Sequence, residues 1–356
     1  MLRIIDWWLF VPALFLSLLG LLVIFSLSPE EFHSQLIYLG VALGVFLVFL
    51  LLDVHFLQPF SPVIYGFCIL LLLATHIFGI VSHGSARWLG VGSFRFQPSE
   101  LAKPLLALSF AFWGSRLHLK KGKDFLLFLL LFALPFGLIF RQPDLGSALV
   151  VVSLWGGVLL TRGINLKAGL LILILLLIIV PLSWGLLRPY QRARVETFLN
   201  PQADPLGASY NQIQATIAVG SGGFLGKGLG QGTQSQLQFL PEKQTDFIFA
   251  NLSEELGFLG SFTVLFLYVL LFSRLLFLAA KAETIFAQLL NIGIFSFLWF
   301  QTVIHIGMNI GLLPVTGVTL PFISAGGSSL LATWLSLSLV MLVSAKRGKQ
   351  PTWEIK

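Results

Sequence analysis

The sequence predicts an all-α integral membrane protein with about ten transmembrane helices, both termini in the cytoplasm and one long extracytoplasmic loop. Three observations predict this fold class. Of the 356 residues, 56% are hydrophobic and only 10% are charged, whereas a soluble domain carries about 25% charged residues. The apolar residues form continuous runs without alternation, which indicates helices rather than a barrel. Lys and Arg are concentrated in alternate connections between the runs, as the positive-inside rule requires.

We treat residues 1–356 as a single polytopic membrane domain. A span needs about 20 apolar residues, or fewer where flanking side chains reach the interface. The first run follows a single basic residue, so we expect a retained helix rather than a cleaved signal peptide. The ten predicted spans are Trp7–Leu27, Leu36–Leu52, Val63–Val81, Leu101–Trp113, Phe125–Phe140, Leu145–Leu160, Ala168–Leu187, Phe247–Phe272, Ile285–Ile306 and Leu330–Val343.

The distribution of basic residues sets the orientation. With the N-terminus inside, 13 of the 22 Lys and Arg residues fall on the cytoplasmic side. The connection 188–245, between the seventh and eighth spans, then lies outside. Long loops cross the membrane regardless of their charge, but Arg87, Arg95, Lys103 and Arg141 lie in short connections or inside a helix. Cations gathered at the outer face predict an anionic ligand there, and phosphate is the usual one.

Asp246 lies where the long loop gives way to the eighth apolar run. An ionisable side chain at membrane depth costs roughly 2.5–3.5 kcal/mol on insertion scales and therefore suggests a functional site. The alternative is helix capping, with Thr245 as the N-cap and Asp246 stabilised by the helix dipole. The residues of this stretch alone favour neither interpretation.

Three further acidic or basic residues on the outer side are candidates for a site. Glu100 and Lys103 are three residues apart on a predicted helix, so they share a face and can pair. Such a pair either stabilises helix packing or borders a cavity. Asp144 follows a short turn at the start of the sixth span, where helix capping explains an aspartate without any ligand; a functional role is the alternative.

The long loop contains a glycine-rich stretch, residues 220–232, whose sequence does not match a known nucleotide-binding motif. Gly228 follows Lys227 where a P-loop requires Ser or Thr, and no strand precedes the stretch. We predict a flexible re-entrant or surface loop. Upstream, Arg192 and Arg194 form a basic helical turn that could face lipid head groups. No nucleic-acid partner is expected.

Two features close to Asp246 complete the outer side. Glu254 and Glu255 fall inside the eighth span, where both must face protein or water, and hydrogen bonding to neighbouring loop backbone is the favoured interpretation. The segment from Gly311 to Ser329 is apolar but rich in Pro and Gly. Irregular backbone at membrane depth is tolerated only where protein or a cavity covers it, so we predict a re-entrant segment that lines a site.

Five sequence motifs, taken in their order along the chain, resemble those of the SEDS family of bacterial cell-wall proteins (shape, elongation, division and sporulation). The likeness extends over nearly the whole chain and is closer to the elongation branch than to the division branch. One departure is Ala325, where many relatives carry Tyr. The motifs lie at 87–103, 142–146, 239–249, 254–257 and 314–329.

The resemblance implies a peptidoglycan glycosyltransferase in the bacterial cytoplasmic membrane, with its active site on the extracytoplasmic side. Its substrate would be lipid II, an undecaprenyl-pyrophosphate-linked disaccharide peptide. Its partner would be a class B penicillin-binding transpeptidase. The family's essential aspartate corresponds to Asp246, and its cavity-lining Glu and Lys correspond to Glu100 and Lys103.

The residues suit this chemistry. An α-linked donor and a β-linked product require inversion, so one displacement with a general base suffices. Pyrophosphate leaves without protonation if cations stabilise it. We therefore predict Asp246 as the base and Arg87, Lys103, Arg192 and Lys243 as pyrophosphate ligands, with Glu100, Asp144 and Ser324 as further substrate contacts. No metal ligands are predicted from spacing, although Mg²⁺ or Mn²⁺ could bridge Asp246 or Glu242 to pyrophosphate.

Two other function classes compete. A lipid II flippase would explain many helices and intramembrane charges, but it predicts charges along the whole transport path. The inner half of this chain is nearly free of them, apart from Asp53 and His55, which favours an enzyme at the outer leaflet. A scaffold for the transpeptidase would leave Asp246 dispensable.

Overall fold

The computed structural model describes residues 5–82, 85–91, 94–163, 189–200, 209–236 and 242–345, together with 169–170, 174, 185, 202, 204–205, 207 and 240. In these residues the chain is predominantly helical, as predicted. The first six helices are α1 (Trp7–Leu27), α2 (Pro29–Leu50), α3 (Val54–Phe78), α4 (Pro98–Arg116), α5 (Gly122–Arg141) and α6 (Leu145–Arg162). The others are α7 (Pro189–Leu199), α8 (Tyr210–Ser221), α9 (Thr233–Gln236), α10 (Ile248–Ala280), α11 (Ile285–Asn309) and α12 (Gly327–Ser344).

Eight of the described helices are long and apolar enough to cross a membrane: α1, α2, α3, α5, α6, α10, α11 and α12. The protein is thus a multi-pass membrane protein. The predicted span Leu101–Trp113 falls within α4, a helix of 19 residues that carries Glu100 and Lys103. The predicted span Ala168–Leu187 lies outside the described residues except at four positions. The total of ten spans therefore stays a prediction.

A small antiparallel sheet joins α3 to α4 and departs from the predicted all-helical fold. Its strands are β1 (Ile80–Ser82), β2 (Ser85–Val91) and β3 (Phe94–Phe96), in the order β1-β2-β3. Gly90 pairs with Arg95 in the register of β2 and β3. Gly92 and Ser93 separate these two strands, and a two-residue connection that begins with Gly is a hairpin signal. This connection is therefore a hairpin, and its strand β2 brings Arg87 to the turn between α5 and α6.

The long predicted loop contains regular structure of its own, namely α7, α8 and α9. Helix α8 packs against α10. The connection from α8 to α9 also contacts α10 through backbone hydrogen bonds: Lys227 N donates to Glu254 O, and Gly228 N donates to Glu255 O, each at 3.0 Å. The glycine-rich stretch is therefore docked on α10.

Helix α10 is broken at Gly257, where φ is +66°. A Cβ atom at this position would collide with the backbone of Gly226, so the docked loop requires glycine on both sides of the contact. The break separates a short first part, residues 248–256, from the long remainder of the helix. Asp246 immediately precedes the short part.

An aromatic cluster fixes the irregular segment between α11 and α12. The fully buried Trp334 of α12 lies 5.6 Å from Phe10, 5.3 Å from Phe46 and 5.7 Å from Phe322, measured between ring centroids. These rings come from α1, α2 and the irregular segment, and such edge-to-face pairs stabilise packing beyond their buried area. The segment 310–326 is thereby held against the helices that surround the candidate site.

Candidate functional site

Asp246 lies in a turn, residues 242–247, that precedes α10. The N-cap of α10 is Phe247, whose side chain makes no capping bond. Thr245 donates its hydroxyl to Glu242 Oε2 at 3.1 Å and does not cap the helix. Thr245 as the N-cap is therefore wrong, because the helix begins two residues later than expected, while stabilisation of Asp246 by the helix dipole stays a prediction.

The surroundings of Asp246 shift its acidity. The residue as a whole is partly exposed, but desolvation of its carboxyl group raises the pKa from 3.8 to about 6. The positive charge of Arg194 opposes this shift, Glu242 adds to it, and weaker effects come from Arg87 and Asp144. Burial therefore outweighs the nearby cations. A carboxyl group with a pKa near 6 is ionised at neutral pH and is still basic enough to accept a proton.

Arg194 and Asp246 meet at Gly317, in the irregular segment before α12. A Cβ atom on Gly317 would lie 3.6 Å from Arg194 Nη1 and 3.8 Å from Asp246 Oδ2. Gly317 also has a φ of +74°, a conformation that residues with a Cβ adopt only with strain. The missing side chain leaves room beside the carboxylate and the guanidinium for a small reacting group.

The two arginines of α7 have different surroundings. Arg192 donates from Nη2 to the carbonyl of Gly185 at 2.8 Å, whereas Arg194 acts on Asp246. Residues two positions apart lie on different faces of a helix. The sequence prediction chose Arg192 as a pyrophosphate ligand and assigned no such role to Arg194. The sequence contained no signal that would separate them, because the rotation of α7 relative to Asp246 depends on tertiary packing.

Arg87 is held in place by the turn between α5 and α6. Its Nε donates to the carbonyl of Gln142 at 3.1 Å, and its Nη2 donates to that of Pro143. Gln191 of α7 also donates to Pro143 O, at 3.3 Å. Strand β2, this turn and α7 therefore converge, and they form a cleft with the irregular segment. The cleft is lined by Arg87, Pro143, Leu145, Gln191, Arg194, Val195, Pro314, Val315 and Thr316.

Comparison with known proteins identifies the family. A family model described as "Cell cycle protein", covering FtsW, RodA and SpoVE, matches residues 6–349. The chain belongs to this family. Peptidoglycan glycosyltransferase MrdB of Escherichia coli (strain K12) is 39% identical to it over 94% of each chain. Stage V sporulation protein E of Bacillus subtilis (strain 168) is 36% identical and covers 95% of this chain and 96% of its own length.

Solved structures agree with this assignment. One, described as "Structural coordination of polymerization and crosslinking by a peptidoglycan synthase complex", has a TM-score of 0.84 at 36% identity, covering 97% of this chain and 99% of that chain. The crystal structure of the rod shape determining protein RodA of Thermus thermophilus has a TM-score of 0.74 at 30% identity, with coverages of 96% and 98%. The predicted resemblance to the SEDS family is confirmed, as is the helical membrane fold.

The predicted pairing of Glu100 and Lys103 is confirmed. Lys103 Nζ lies 2.6 Å from Glu100 Oε1, and both side chains are buried. Neither residue is among the groups that shift the pKa of Asp246 within the described part of the chain. In this SEDS protein the pair lies in the packed interior, and its contact with substrate stays a prediction.

Asp144 performs the predicted capping role. Its Oδ1 accepts from Ser147 N at 3.1 Å, so it caps α6. Its Oδ2 accepts from Gln97 Nε2 at 3.1 Å and from Ser99 Oγ at 3.4 Å. The carboxylate therefore joins the start of α6 to the start of α4. A direct contact of Asp144 with substrate stays a prediction. Its negative charge contributes to the raised pKa of Asp246.

Two other predicted substrate contacts lie beside Asp246. Lys243 is partly exposed, and its carbonyl accepts from Asn251 Nδ2 at 2.6 Å. Ser324 is buried, and its hydroxyl donates to Thr245 O at 3.0 Å and accepts from Leu320 N at 2.8 Å. The Ser324 hydroxyl thus fastens the irregular segment to the Asp246 turn, and its role as a substrate contact is untested.

Glu254 and Glu255 fasten the docked loop to α10, as the favoured interpretation expected. The fully buried Glu254 lies 2.8 Å from Lys227 Nζ and accepts from Gln234 N at 3.0 Å. Glu255 accepts from Ser26 Oγ at 2.7 Å, and Ser26 Oγ in turn accepts from Gly230 N at 2.8 Å. Side-chain donors to the two carboxylates outnumber the backbone donors, so the expected bonding to loop backbone is confirmed only in part.

Metal binding was left open by the sequence. Within the part of the chain that the structure describes, no group of three or more His, Cys, Asp or Glu residues could hold a metal ion. Asp246 and the exposed Glu242 are coupled electrostatically. Mg²⁺ is often held by one or two carboxylates together with substrate phosphates, so Glu242 fits an ion that arrives with its substrate, and a metal requirement stays a prediction.

Proposed function

We propose that this protein is a peptidoglycan glycosyltransferase that polymerises lipid II into glycan strands during cell elongation. It would act at the extracytoplasmic face of the bacterial cytoplasmic membrane. The observation that carries the proposal is the position of Asp246, a partly exposed residue whose carboxyl group has a raised pKa and lies beside Gly317 together with Arg194. The names of curated relatives, MrdB and RodA among them, support the same activity.

In the proposed step, Asp246 accepts the proton of the acceptor sugar's 4-hydroxyl group. That oxygen forms a bond to the anomeric carbon of the donor, and the bond from this carbon to the pyrophosphate oxygen breaks. Attack from the opposite face inverts the anomeric configuration in one displacement. The pyrophosphate leaves on the undecaprenyl carrier. Proton transfer to a positioned base typically accelerates such a step by about 10²–10⁴-fold.

The leaving pyrophosphate needs positive charge, which the cleft supplies from two directions. Arg194 comes from α7 and Arg87 from β2, and both line the same cleft. Guanidinium groups bind phosphate oxygens through paired hydrogen bonds. Because the carbonyls of Gln142 and Pro143 already orient Arg87, little side-chain freedom would be lost on binding. Lys103, Arg192 and Lys243 remain candidates for further phosphate contacts.

A divalent cation, Mg²⁺ or Mn²⁺, would strengthen this charge stabilisation. Glu242 would hold it together with pyrophosphate oxygens, so that the carboxylate of Asp246 stays free to take the proton. The ion would neutralise charge that develops on the leaving group. The residues described above bind and orient the substrates, and Asp246 takes the proton.

We also propose that the protein works with a class B penicillin-binding transpeptidase. One solved neighbour belongs to a peptidoglycan synthase complex, in which polymerization and crosslinking are coordinated. A transpeptidase anchored in the same membrane would receive the new strand where it forms. No nucleic acid takes part in this function.

The experiment that tests the function uses the purified full chain, reconstituted with a class B transpeptidase in vesicles that contain lipid II. We expect glycan strands, detected by gel electrophoresis, and release of undecaprenyl pyrophosphate. Movement of lipid II between leaflets without polymer would instead support the flippase. If the folded protein neither forms glycan strands nor transports lipid II, only the scaffold role would remain.

A further inference from the structure

Four successive backbone carbonyls around Asp246 are each held by a donor from elsewhere in the fold. They belong to residues 243–246, the stretch between the docked loop and α10. Their donors are Asn251 Nδ2 at 2.6 Å, Ala325 N at 3.0 Å, Ser324 Oγ at 3.0 Å and Asn309 Nδ2 at 3.0 Å, in that order. The backbone is fixed in this way, and Asp246 as a whole residue remains partly exposed.

Asn309 is the donor that acts on Asp246 itself, and it is the last residue of the membrane-spanning helix α11. It is fully buried. Its Nδ2 donates to Asp246 O at 3.0 Å and to His305 O at 2.7 Å, and its Oδ1 accepts from Ala250 N at 3.1 Å. Both ends of one side-chain amide are therefore engaged.

The bond to Ala250 satisfies a backbone N–H group at the start of α10 that the N-cap residue does not bond. The first N–H groups of a helix have no partner within the helix, and the side chain of the N-cap Phe247 makes no capping bond. Ala250 is the third residue of α10, whose N–H a capping side chain normally satisfies. Asn309 thus caps α10 from a different helix and holds Asp246 with the other end of the same amide.

We propose that Asn309 is a positioning residue for the Asp246 base, a role that rests on the proposed function of Asp246. Its amide ties the backbone of Asp246 and the first turn of α10 to the end of α11. The carboxylate is thereby kept in register with Arg194 across Gly317. A displacement of about 1 Å in such a site can lower the rate about 10²-fold.

The first test is Asn309→Ala in the lipid II polymerisation assay. This change frees the Asp246 carbonyl and leaves the N–H of Ala250 without its partner. We expect kcat to fall at least tenfold while KM changes less than threefold, because the base is misplaced and the substrate contacts remain. Wild-type kcat in the folded variant would overturn the proposal.

A near-isosteric variant, Asn309→Asp, adds a readout besides folding, because it places a charge next to the backbone of Asp246. It keeps an acceptor for Ala250 N but replaces the donor to Asp246 by a negative charge. The charged groups that already act on Asp246 are Arg194 of α7, Arg87 of β2, Asp144 of α6 and Glu242 of its own turn. The neighbouring His305 of α11 is bound through Nδ1 to Val318 O at 2.7 Å.

An added carboxylate raises the pKa of a neighbouring carboxyl group. We therefore expect the acid limb of the pH–rate profile to move to higher pH in Asn309→Asp. An unchanged midpoint, with unchanged kcat, would contradict the proposal. This profile also decides the question if Asn309→Ala fails to fold.

Asn291 is the matched control. It lies on the same helix, is equally buried, and donates from Nδ2 to Ser344 Oγ at 3.2 Å. It precedes Asn309 by 18 residues, about five helical turns. The variants Asn291→Ala and Asn291→Asp should cost stability without moving the pH midpoint. If they lowered kcat and moved the midpoint as the Asn309 variants do, Asn309 would have only a structural role.

The same assay separates this inference from the proposed function. If the wild type forms no glycan strands, the proposed function fails. If the wild type polymerises and Asp246→Asn does not, while both Asn309 variants match the wild type, only the positioning role fails.

Discussion

Arg194 and Asp246 both approach Gly317, where a Cβ atom would lie 3.6 Å from Arg194 Nη1 and 3.8 Å from Asp246 Oδ2. The three residues come from α7, from the turn before α10 and from the irregular segment before α12. No two of them are neighbours in the sequence. The carboxylate is nevertheless more basic than an ordinary aspartate, because desolvation outweighs the attraction of Arg194. This balance underlies the following predictions.

The pH–rate profile should report the protonation of Asp246 and the effect of Arg194 on it. With a pKa of about 6, the base loses its proton as the pH rises through 6, so activity should increase over that range. Arg194→Gln removes the largest effect that lowers this pKa and should move the acid limb to higher pH. Steady-state polymerisation rates between pH 5 and 8, the usual span for such titrations, would measure the midpoint.

Arg192→Gln is the control for this experiment. Its guanidinium bonds to Gly185 O, so the midpoint should stay at the wild-type value even if substrate affinity changes. A larger shift from Arg192→Gln than from Arg194→Gln would contradict the assignment of Arg194 to Asp246.

Gly317→Ala should reduce activity more than stability. The added Cβ would lie in van der Waals contact with both Arg194 and Asp246, where the proposed mechanism places the reacting hydroxyl. The positive φ adds a backbone cost of roughly 1–2 kcal/mol. We expect at least a tenfold fall in kcat, measured beside the thermal midpoint in detergent.

Gly163→Ala is the control that separates the backbone strain of Gly317→Ala from the effect of its added Cβ on the site. Gly163 has a similar φ of +71°, and its Cβ would meet nothing within 4 Å. It caps α6 at the end opposite to Asp144. A comparable loss of stability with near wild-type kcat is expected; an equal loss of kcat in both variants would show that strain alone is responsible.

The raised pKa of Asp246 should also appear in the pH dependence of stability. Because the folded state binds this proton more tightly than the unfolded state, stability falls as the pH rises from 3.8 to about 6 and is level above that range. Asp246→Asn cannot lose a proton there. Relative to the wild type, its thermal midpoint should rise between pH 4 and 6 and keep that advantage at neutral pH, whereas a constant difference at all pH values would exclude desolvation as the cause.

The pair formed by Lys227 and Glu254 should stabilise the docked loop. Removing one partner of a buried pair costs up to about 3–5 kcal/mol, and the value should be smaller here because Lys227 is partly exposed. Lys227→Met should therefore lower the thermal midpoint, and Glu254→Gln in the same chain should recover part of the loss. Additive effects in the double variant would mean that the two side chains do not interact.

Local spacing predicted several features correctly. Glu100 and Lys103 pair because their separation matches the helical repeat, and Asp144 caps α6 because a short turn brings it to the helix start. The glycine-rich loop and the irregular segment before α12 were also recognised as non-helical. Each of these features depends on residues within a few positions of one another.

Features that depend on tertiary packing were not predictable from the sequence. Thr245 seemed suited to cap α10, yet the cap is supplied by Asn309, a residue 59 positions away. Arg192 and Arg194 looked equivalent until the rotation of α7 distinguished them. The hairpin between α3 and α4 was overlooked because its strands are only three to seven residues long.

The most direct test of the central claim is lipid II polymerisation by Asp246→Asn beside the wild type, each with the transpeptidase partner. Asparagine keeps the size of the side chain but removes the basic carboxylate. We expect glycan strands from the wild type and a loss of at least about 10²-fold in rate from the folded variant, which is the contribution of a positioned base. Polymerisation by Asp246→Asn at the wild-type rate would contradict the role of Asp246 as the base.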